Sequence, residues 1–275
     1  MPDPSSTDWP ADPVDRAHLT SAARPSPPIY RYGPSPGLTE LIGRYWIPVW
    51  SVPEPTTQST LQYPVCLIVV SNSYARCYGV SRGLSQVTLE GAGWAVGVLF
   101  RPAAGRLLLG RPVSELVDAH VNLGAVSSID DSALVDRIRT VMSDDPHALA
   151  SHRAAIAAYE DAVAPLLPAD DTGLLINRII DWLVDHPEVT RVTEVADAFA
   201  LTERSLQRLV VDRVGLTPKW LIQRRRLHDA VAGLKAGERL LAELAAELGY
   251  ADQAHFTHDF RAVTGLTPGQ YLAEQ

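Results

Sequence analysis

Gly215-Leu216-Thr217-Pro218 returns fifty residues later as Gly265-Leu266-Thr267-Pro268. Each copy follows a run with helical character, Ser205-Leu206-Gln207-Arg208-Leu209-Val210-Val211 first and His255-Phe256-Thr257-His258-Asp259-Phe260-Arg261 second. Upstream of each lies a short, Ala-rich apolar pattern, at residues 192–198 and 241–248, and an aromatic follows each Pro, at Trp220 and Tyr271. A repeat of this length is the mark of a duplicated supersecondary unit. Short helix, tight turn, second helix is the helix-turn-helix plan.

Working outward, Leu174, Leu175, Ile179, Ile180, Leu183 and Val184 give a preceding helix one apolar face, stopped at His186-Pro187. Thr193 opens the next helix, and Ala200-Leu201-Thr202 is the turn, with Thr202 as N-cap of a helix over 203–214. Gly215 ends that helix, and Pro218 starts a long one over 220–234 that joins the two units. The second unit repeats the plan over 240–248, turns at Gly249-Tyr250-Ala251, caps with Asp252 and runs over 253–264 to Gly265.

Hydrophobic content of 46% and charge of 20% fit an ordinary globular protein with a sizeable core. The formal net charge of −8 divides into −6 over residues 1–172 and −2 over 173–275, so most of the acidity lies outside the repeat. Cys66 and Cys77 are too few for a disulfide scaffold and lack metal-site spacing. No apolar run is long enough for a membrane span, and the acidic, Pro-rich start is unlike a secretory signal, which points to the cytoplasm.

Residues 1–28 hold seven prolines and predict a disordered segment, with Trp9 free to dock. From residue 29 to about 101 the pattern is that of short strands, at 44–50, 65–70, 74–80, 86–89 and 95–100. Ser71-Asn72-Ser73, Ser81-Arg82-Gly83 and Gly91-Ala92-Gly93 punctuate them. Such a set reads as a β-sandwich or small barrel, an architecture that commonly encloses a cavity. Its aromatics either fill the core or line a small-molecule pocket. The pocket reading selects Trp46, Trp50, Tyr63, Cys66, Tyr78 and Trp94, with Arg76 or Arg101 for an anionic group. Short helices follow at 103–109 and 113–120. Two longer ones follow at 128–142, capped within Ser128-Ile129-Asp130-Asp131, and from Pro146 to 167. The stripes of the longer pair could pack on the strands or on a second copy of the chain.

At this point residues 173–271 are seen to resemble the DNA-binding domain of AraC/XylS-type bacterial transcription regulators. The carrying residues include Leu206-Gln207-Arg208-Leu209, Arg225-Arg226-Leu227 with Ala230, Ala245-Ala246-Glu247-Leu248-Gly249-Tyr250 and Asp252-Gln253-Ala254-His255-Phe256. Both Gly-Leu-Thr-Pro segments belong with them. Ala200 departs from the pattern, which usually has Gly there; Ala makes a positive φ costlier. Tyr45-Trp46 and Gly97-Val98-Leu99-Phe100-Arg101-Pro102 are similar to a cupin-like domain found ahead of such DNA-binding domains. The implied architecture is α+β. A disordered tail (1–28) precedes a cupin-like β-barrel or sandwich (29–125), a helical connector that could serve dimerisation (126–170), and an all-α double helix-turn-helix domain (171–275).

The resemblance places two reading helices in successive major grooves, ~34 Å apart. It makes Arg204, Gln207 and Arg208 base readers in the first, and Gln253, Ala254, His255 and His258 in the second. It assigns phosphate contacts to Thr202, Thr217, Lys219, Thr267, Arg224 and Arg225, and leaves Arg226 to bridge the units. The Arg/Gln-rich first reader should carry more base recognition, and the second should be sensitive to pH through its histidines. His255, His258 and Asp259 lack a third soft ligand, so no metal is expected, nor any cofactor. Catalysis is not expected either. No His falls between His18 and His120 to serve a metal cupin, and two cysteines do not make a zinc-bound alkyl acceptor. The function implied is a transcription regulator whose partners are double-stranded DNA, RNA polymerase and a small-molecule effector, with a second copy of the chain as a further candidate. The alternative is an effector-independent regulator whose N-terminal domain serves dimerisation or a protein partner.

Overall fold

The structure, a computed structural model, describes residue 19, residues 27–237 and residues 240–273. Among the described residues six antiparallel strands form one sheet: β1 (Ile29–Tyr32), β2 (Ile42–Thr60), β3 (Leu67–Ser71), β4 (Ala75–Tyr78), β5 (Ser85–Phe100) and β6 (His120–Asn122). Their order is β1-β2-β5-β3-β4-β6. Two strands are longer than the sequence suggested. Gly91-Ala92-Gly93 does not end a strand; Gly91 takes φ +54° and β5 runs through it. Opposite, the ladder slips between Val52 and Thr56, and Pro53 and Pro55 fall in the slipped stretch where no ladder N–H is required. The bulge bends the β2–β5 pair instead of breaking it.

Side-chain alternation then sorts the sheet into two faces. Tyr45, Ile47, Val49, Ile68, Val70, Cys77, Val96, Val98 and Phe100 point into the main core. That core is covered by α1 (Pro102–Leu109), α2 (Asp131–Asp144) and α3 (Leu149–Val163). Tyr159 of α3 is fully buried and its hydroxyl donates to the Val96 carbonyl at 2.9 Å. The stripes of α2 and α3, left open by the sequence between strands and a second copy, therefore pack on the sheet. The cap of α2 is Asp130, whose carboxylate accepts from Ala133 N–H, and not Ser128, whose hydroxyl donates to the Leu108 carbonyl.

Seven further helices follow among the described residues: α4 (Asp171–Asp185), α5 (Val192–Ala198), α6 (Glu203–Arg213), α7 (Pro218–Ala236), α8 (Leu241–Glu247), α9 (Gln253–Thr264) and α10 (Pro268–Ala273). The two units repeat in detail. Glu194 accepts from the N–H groups of Thr190 and Arg191 at the start of α5, and Glu243 accepts from that of Leu240 at the start of α8. Ala200 holds φ +51° in the first turn and Gly249 φ +74° in the second. The extra residue of the second unit falls after this point, so its turn is one residue longer.

Neither unit packs alone. Cys66, Val80 and Val113 join Ile176, Ile179, Leu206, Val210, Leu221 and Ile222 in a second core. Leu61 joins Leu227, Ala230, Phe256, Phe260 and Tyr271 in a third. Full burial of Phe256 and Phe260 contributes about 1.5–3 kcal/mol each. The sheet half and the helical half thus share apolar cores across residue 170. The expectation for residues 1–28, Trp9 included, falls almost wholly outside the described residues. Of residues 1–26, Leu19 alone is described, and its N–H donates to the Ser59 carbonyl at 3.0 Å.

Candidate nucleic-acid interface and ligand pocket

The second face of the sheet carries Trp46 and Trp50 from β2, Leu67 and Val69 from β3, Arg76 and Tyr78 from β4, and Ala95 and Leu99 from β5. These bound a cavity of about 530 Å³. That size suits a small molecule. Gln58, Thr60, Gln62, Tyr63, Tyr74 and His120 complete much of its wall. Two glycines shape its floor. A Cβ at Gly97 would lie 2.3 Å from the Trp46 ring, and one at Gly93 would lie 2.5 Å from that of Trp50. Each indole therefore lies over a glycine that faces it across the ladder. Arg76 stands with its guanidinium carbon 4.8 Å from the centre of the Tyr74 ring. Burial, with Tyr78 beside it, pushes the Tyr74 phenol up to about 12.

Of the pocket residues selected from sequence, the structure brings Trp46, Trp50, Tyr63, Arg76 and Tyr78 together. It does not bring Cys66, Trp94 or Arg101. Trp94 pairs with Val49 across the ladder and shares its helix-side face, so it belongs to the main core. Cys66 precedes β3 and points into the second core, near Gly105. Arg101 stands at the start of α1 and pairs with Asp181 of α4. Burial pushes the Cys66 thiol up and that of Cys77 to about 12, the reverse of what a nucleophilic cysteine needs. Sequence reasoning missed Gln58, Gln62 and His120. Strand parity with Trp46 and Trp50, carried across the bulge, would have found Gln58.

Helix α7 lies at the junction of everything else, through three consecutive arginines that leave it in different directions. Arg224 donates to the carbonyls of Ser81 at 2.9 Å and Arg82 at 2.6 Å in the sheet half, and lies over the Trp220 ring. Arg225 donates to the carbonyls of His186 at 3.0 Å and Val189 at 2.7 Å, in the link between α4 and α5. Arg226 donates to the Leu248 carbonyl at 2.7 Å and lies 3.7 Å from the centre of the Tyr250 ring, in the second unit. Burial lowers the Arg224 guanidinium to about 10 and lowers Arg225 as well. Two residues on, His228 is buried, 2.8 Å from the Leu61 carbonyl, with its ring 4.3 Å from that of Tyr63. One edge of the pocket thus touches the helix that joins the two units.

Helices α6 and α9 have matching construction. Thr202 Oγ1 accepts from Ser205 N–H at 3.1 Å, and Asp252 Oδ1 accepts from His255 N–H at 2.7 Å. Leu206 and Val210 bury one side of α6; Phe256 and Phe260 bury one side of α9. Arg204, Gln207 and Arg208 share the exposed side of α6, and Gln253, Ala254, His255 and His258 are exposed on α9. The His255 ring is partly held within its own unit, edge-on to Tyr250 and 3.8 Å from the Asp259 carboxylate. Among the described residues no three His, Cys, Asp or Glu side chains converge as a metal site, and no helix is long and apolar enough to cross a membrane.

Comparison with known proteins bears on this duplicated unit. Residues 195–274 match a helix-turn-helix domain family, and residues 30–122 match a domain of unknown function (DUF6597). The HTH-type transcriptional activator RhaS of Escherichia fergusonii is 36% identical over 105 residues, 38% of this chain and 38% of that protein. RhaS of Salmonella arizonae is 33% identical over 101 residues, 36% of each. The C-terminal region is an AraC/XylS-type helix-turn-helix domain. The match spans less than two fifths of each of these relatives. Among solved structures, ToxT of Vibrio cholerae O395 superposes at a TM-score of 0.44 with 12% identity, covering 84% of this chain and 97% of that one.

Within the AraC/XylS-type domain two expected phosphate contacts are corrected. Arg224 and Arg225 are buried and directed inward onto backbone carbonyls, so neither is free to clamp DNA. Thr202, Thr217 and Thr267 stand at helix starts. Thr217 Oγ1 accepts from Trp220 N–H and Thr267 Oγ1 from Gln270 N–H. Lys219 is exposed in the first turn of α7. Arg191, at the start of α5, and Arg261, on α9, are exposed cations that the sequence reading passed over.

Proposed function

We propose that the protein is a sequence-specific DNA-binding transcription regulator whose affinity for DNA is set by a small molecule held in the sheet half. The observation that carries this is the pair of N-capped helices, α6 and α9, each with an apolar side in a core and a polar side in solvent. Arg204, Gln207 and Arg208 read bases from α6; Gln253, Ala254, His255 and His258 read from α9. Thr202, Thr217, Lys219 and Thr267 contact phosphates beside helix N-termini. On this reading the protein works in the cytoplasm with double-stranded DNA and RNA polymerase. A homodimer would use surfaces other than the stripes of α2 and α3, which the sheet covers. The contact between Tyr63 and His228 supports control by a ligand, because it joins the pocket to the helix between the two readers. A ligand shifts DNA affinity only if it binds the two states of that contact differently.

Selection of bound fragments from genomic DNA by the full chain tests the reading. The expected result is a recurring site with two half-sites about one helical turn apart. Recovery of random fragments would overturn it.

A further inference from the structure

The pocket is specific in what it offers a ligand. Trp46 and Trp50, four residues and roughly 13 Å apart along an extended strand, lie over Gly97 and Gly93 and present broad ring surfaces to the cavity. Any side chain at either glycine would collide with the indole, so the ladder is built to keep the rings down and the cavity open. Flat aromatic surfaces favour flat partners, through stacking and burial of apolar area. The charged groups are few. Arg76 is the one Lys or Arg in the lining, the lining contains no Asp or Glu, and no ion pair of Arg76 occurs among the described residues. A cation facing an apolar cavity without a counter-charge is a receptor for an anion. Gln62, also in the lining, has its amide oxygen buried with no hydrogen-bond partner, which leaves an acceptor for a ligand donor.

We infer that this pocket takes a planar aromatic carboxylate carrying a hydroxyl or N–H group, stacked on Trp46, its carboxylate on Arg76 and its donor on Gln62. The inference rests on the reading of the sheet half as a ligand domain and narrows it to a chemical class. It separates this class from three others of similar size. A flexible aliphatic carboxylate would meet Arg76 but gain little from the two indoles. An aromatic ammonium would meet an uncompensated cation. A neutral aromatic amide would stack but leave Arg76 without its counter-charge.

Titration calorimetry with the full chain tests this, using 6-hydroxy-2-naphthoate as the probe. Octanoate, 2-naphthylmethylammonium and 6-hydroxy-2-naphthamide are the comparators. The hydroxynaphthoate should bind at least about tenfold tighter than each of the three. Arg76→Gln should weaken the hydroxynaphthoate about tenfold or more and leave the amide nearly unchanged. Trp46→Leu should weaken both aromatic probes, and thermal melts of each variant report whether the fold is kept. Equal or tighter binding of octanoate or the ammonium would overturn the inference, as would an unchanged hydroxynaphthoate affinity in folded Arg76→Gln, or no binding by any probe. A gel shift with and without the hydroxynaphthoate separates the two readings. Binding without a change in DNA affinity would remove effector control and leave the ligand class standing.

Discussion

The ring of Tyr63 lies 4.3 Å, centre to centre, from the imidazole of His228, and the same imidazole holds the carbonyl of Leu61 at 2.8 Å. Tyr63 lines the cavity in the sheet, whereas His228 belongs to α7, which carries the first reading unit at one end and the second at the other. A carbonyl can only accept, so Nε2 carries the proton and the ring is fixed in one tautomer. Movement of the 61–63 segment would reach α7 through a tilted ring contact and one hydrogen bond.

Replacing His228→Leu keeps the volume and removes the donor. The buried Leu61 carbonyl then lacks its partner, and stability should fall by about 1–3 kcal/mol in urea titrations. Ligand control should weaken more than DNA binding itself. A variant whose DNA affinity still responds fully to ligand would show that the signal takes another route.

Two arginines on the helical half should behave oppositely. Arg208→Ala, at an exposed position of α6, should leave stability within about 0.5 kcal/mol of the parent. It should cost about 1–3 kcal/mol at a cognate site and relax base preference there. Arg225→Met removes two charge-assisted bonds from a buried guanidinium to the link between α4 and α5, and should cost about 2–4 kcal/mol of folding stability. Its effect on the salt slope of DNA binding should be no larger than its effect on folding explains. Gel shifts at several salt concentrations, paired with urea melts, separate the cases.

Ala200 offers a stabilising change. At φ +51° its Cβ crowds the backbone, a strain of about 1 kcal/mol, while Gly249 occupies the matching place in the second unit without it. Ala200→Gly relieves the strain but loosens the unfolded chain, which offsets about half of the gain. A net increase of about 0.5 kcal/mol in unfolding free energy is expected, with DNA affinity unchanged. A loss of stability would mean that packing around the Ala200 methyl outweighs the backbone strain.

The helical half was legible because its signals are local. Thr202, Asp252, Gly215 and Gly265 act within one turn of where they stand, and helices 192–198 and 253–264 emerge with the expected bounds. The pocket was legible only in part, because its face depends on register. Trp46 and Trp94 look equivalent in a list of aromatics, yet the ladder sends one to the cavity and the other to the core. The role of Arg224 and Arg225 was invisible for a related reason. Their partners are backbone carbonyls at residues 81–82, 186 and 189, and a carbonyl leaves no trace in residue type.

His152 makes folding pH-dependent in a direction that can be worked out. It is fully buried under β1, with Nε2 2.7 Å from the Pro146 carbonyl and Nδ1 2.7 Å from the Tyr32 hydroxyl. Nε2–H donates to the carbonyl, so Nδ1 accepts from the Tyr32 O–H and the ring is neutral. Burial lowers its pKa below the ordinary 6.5; the Pro146 carbonyl and Asp145 oppose this and His147 adds to it. Below 6.5 the unfolded chain therefore binds a proton that the folded chain refuses. Stability falls as pH drops through that value and levels off once the lower folded pKa is passed. His152→Gln removes the linkage but also the fitted ring, so it should be the less stable protein at neutral pH. Urea melts at roughly pH 8 and pH 5 should show the gap between parent and variant narrowing on the acid side. A gap that stays constant or widens would mean that His152 takes up its proton in the folded state.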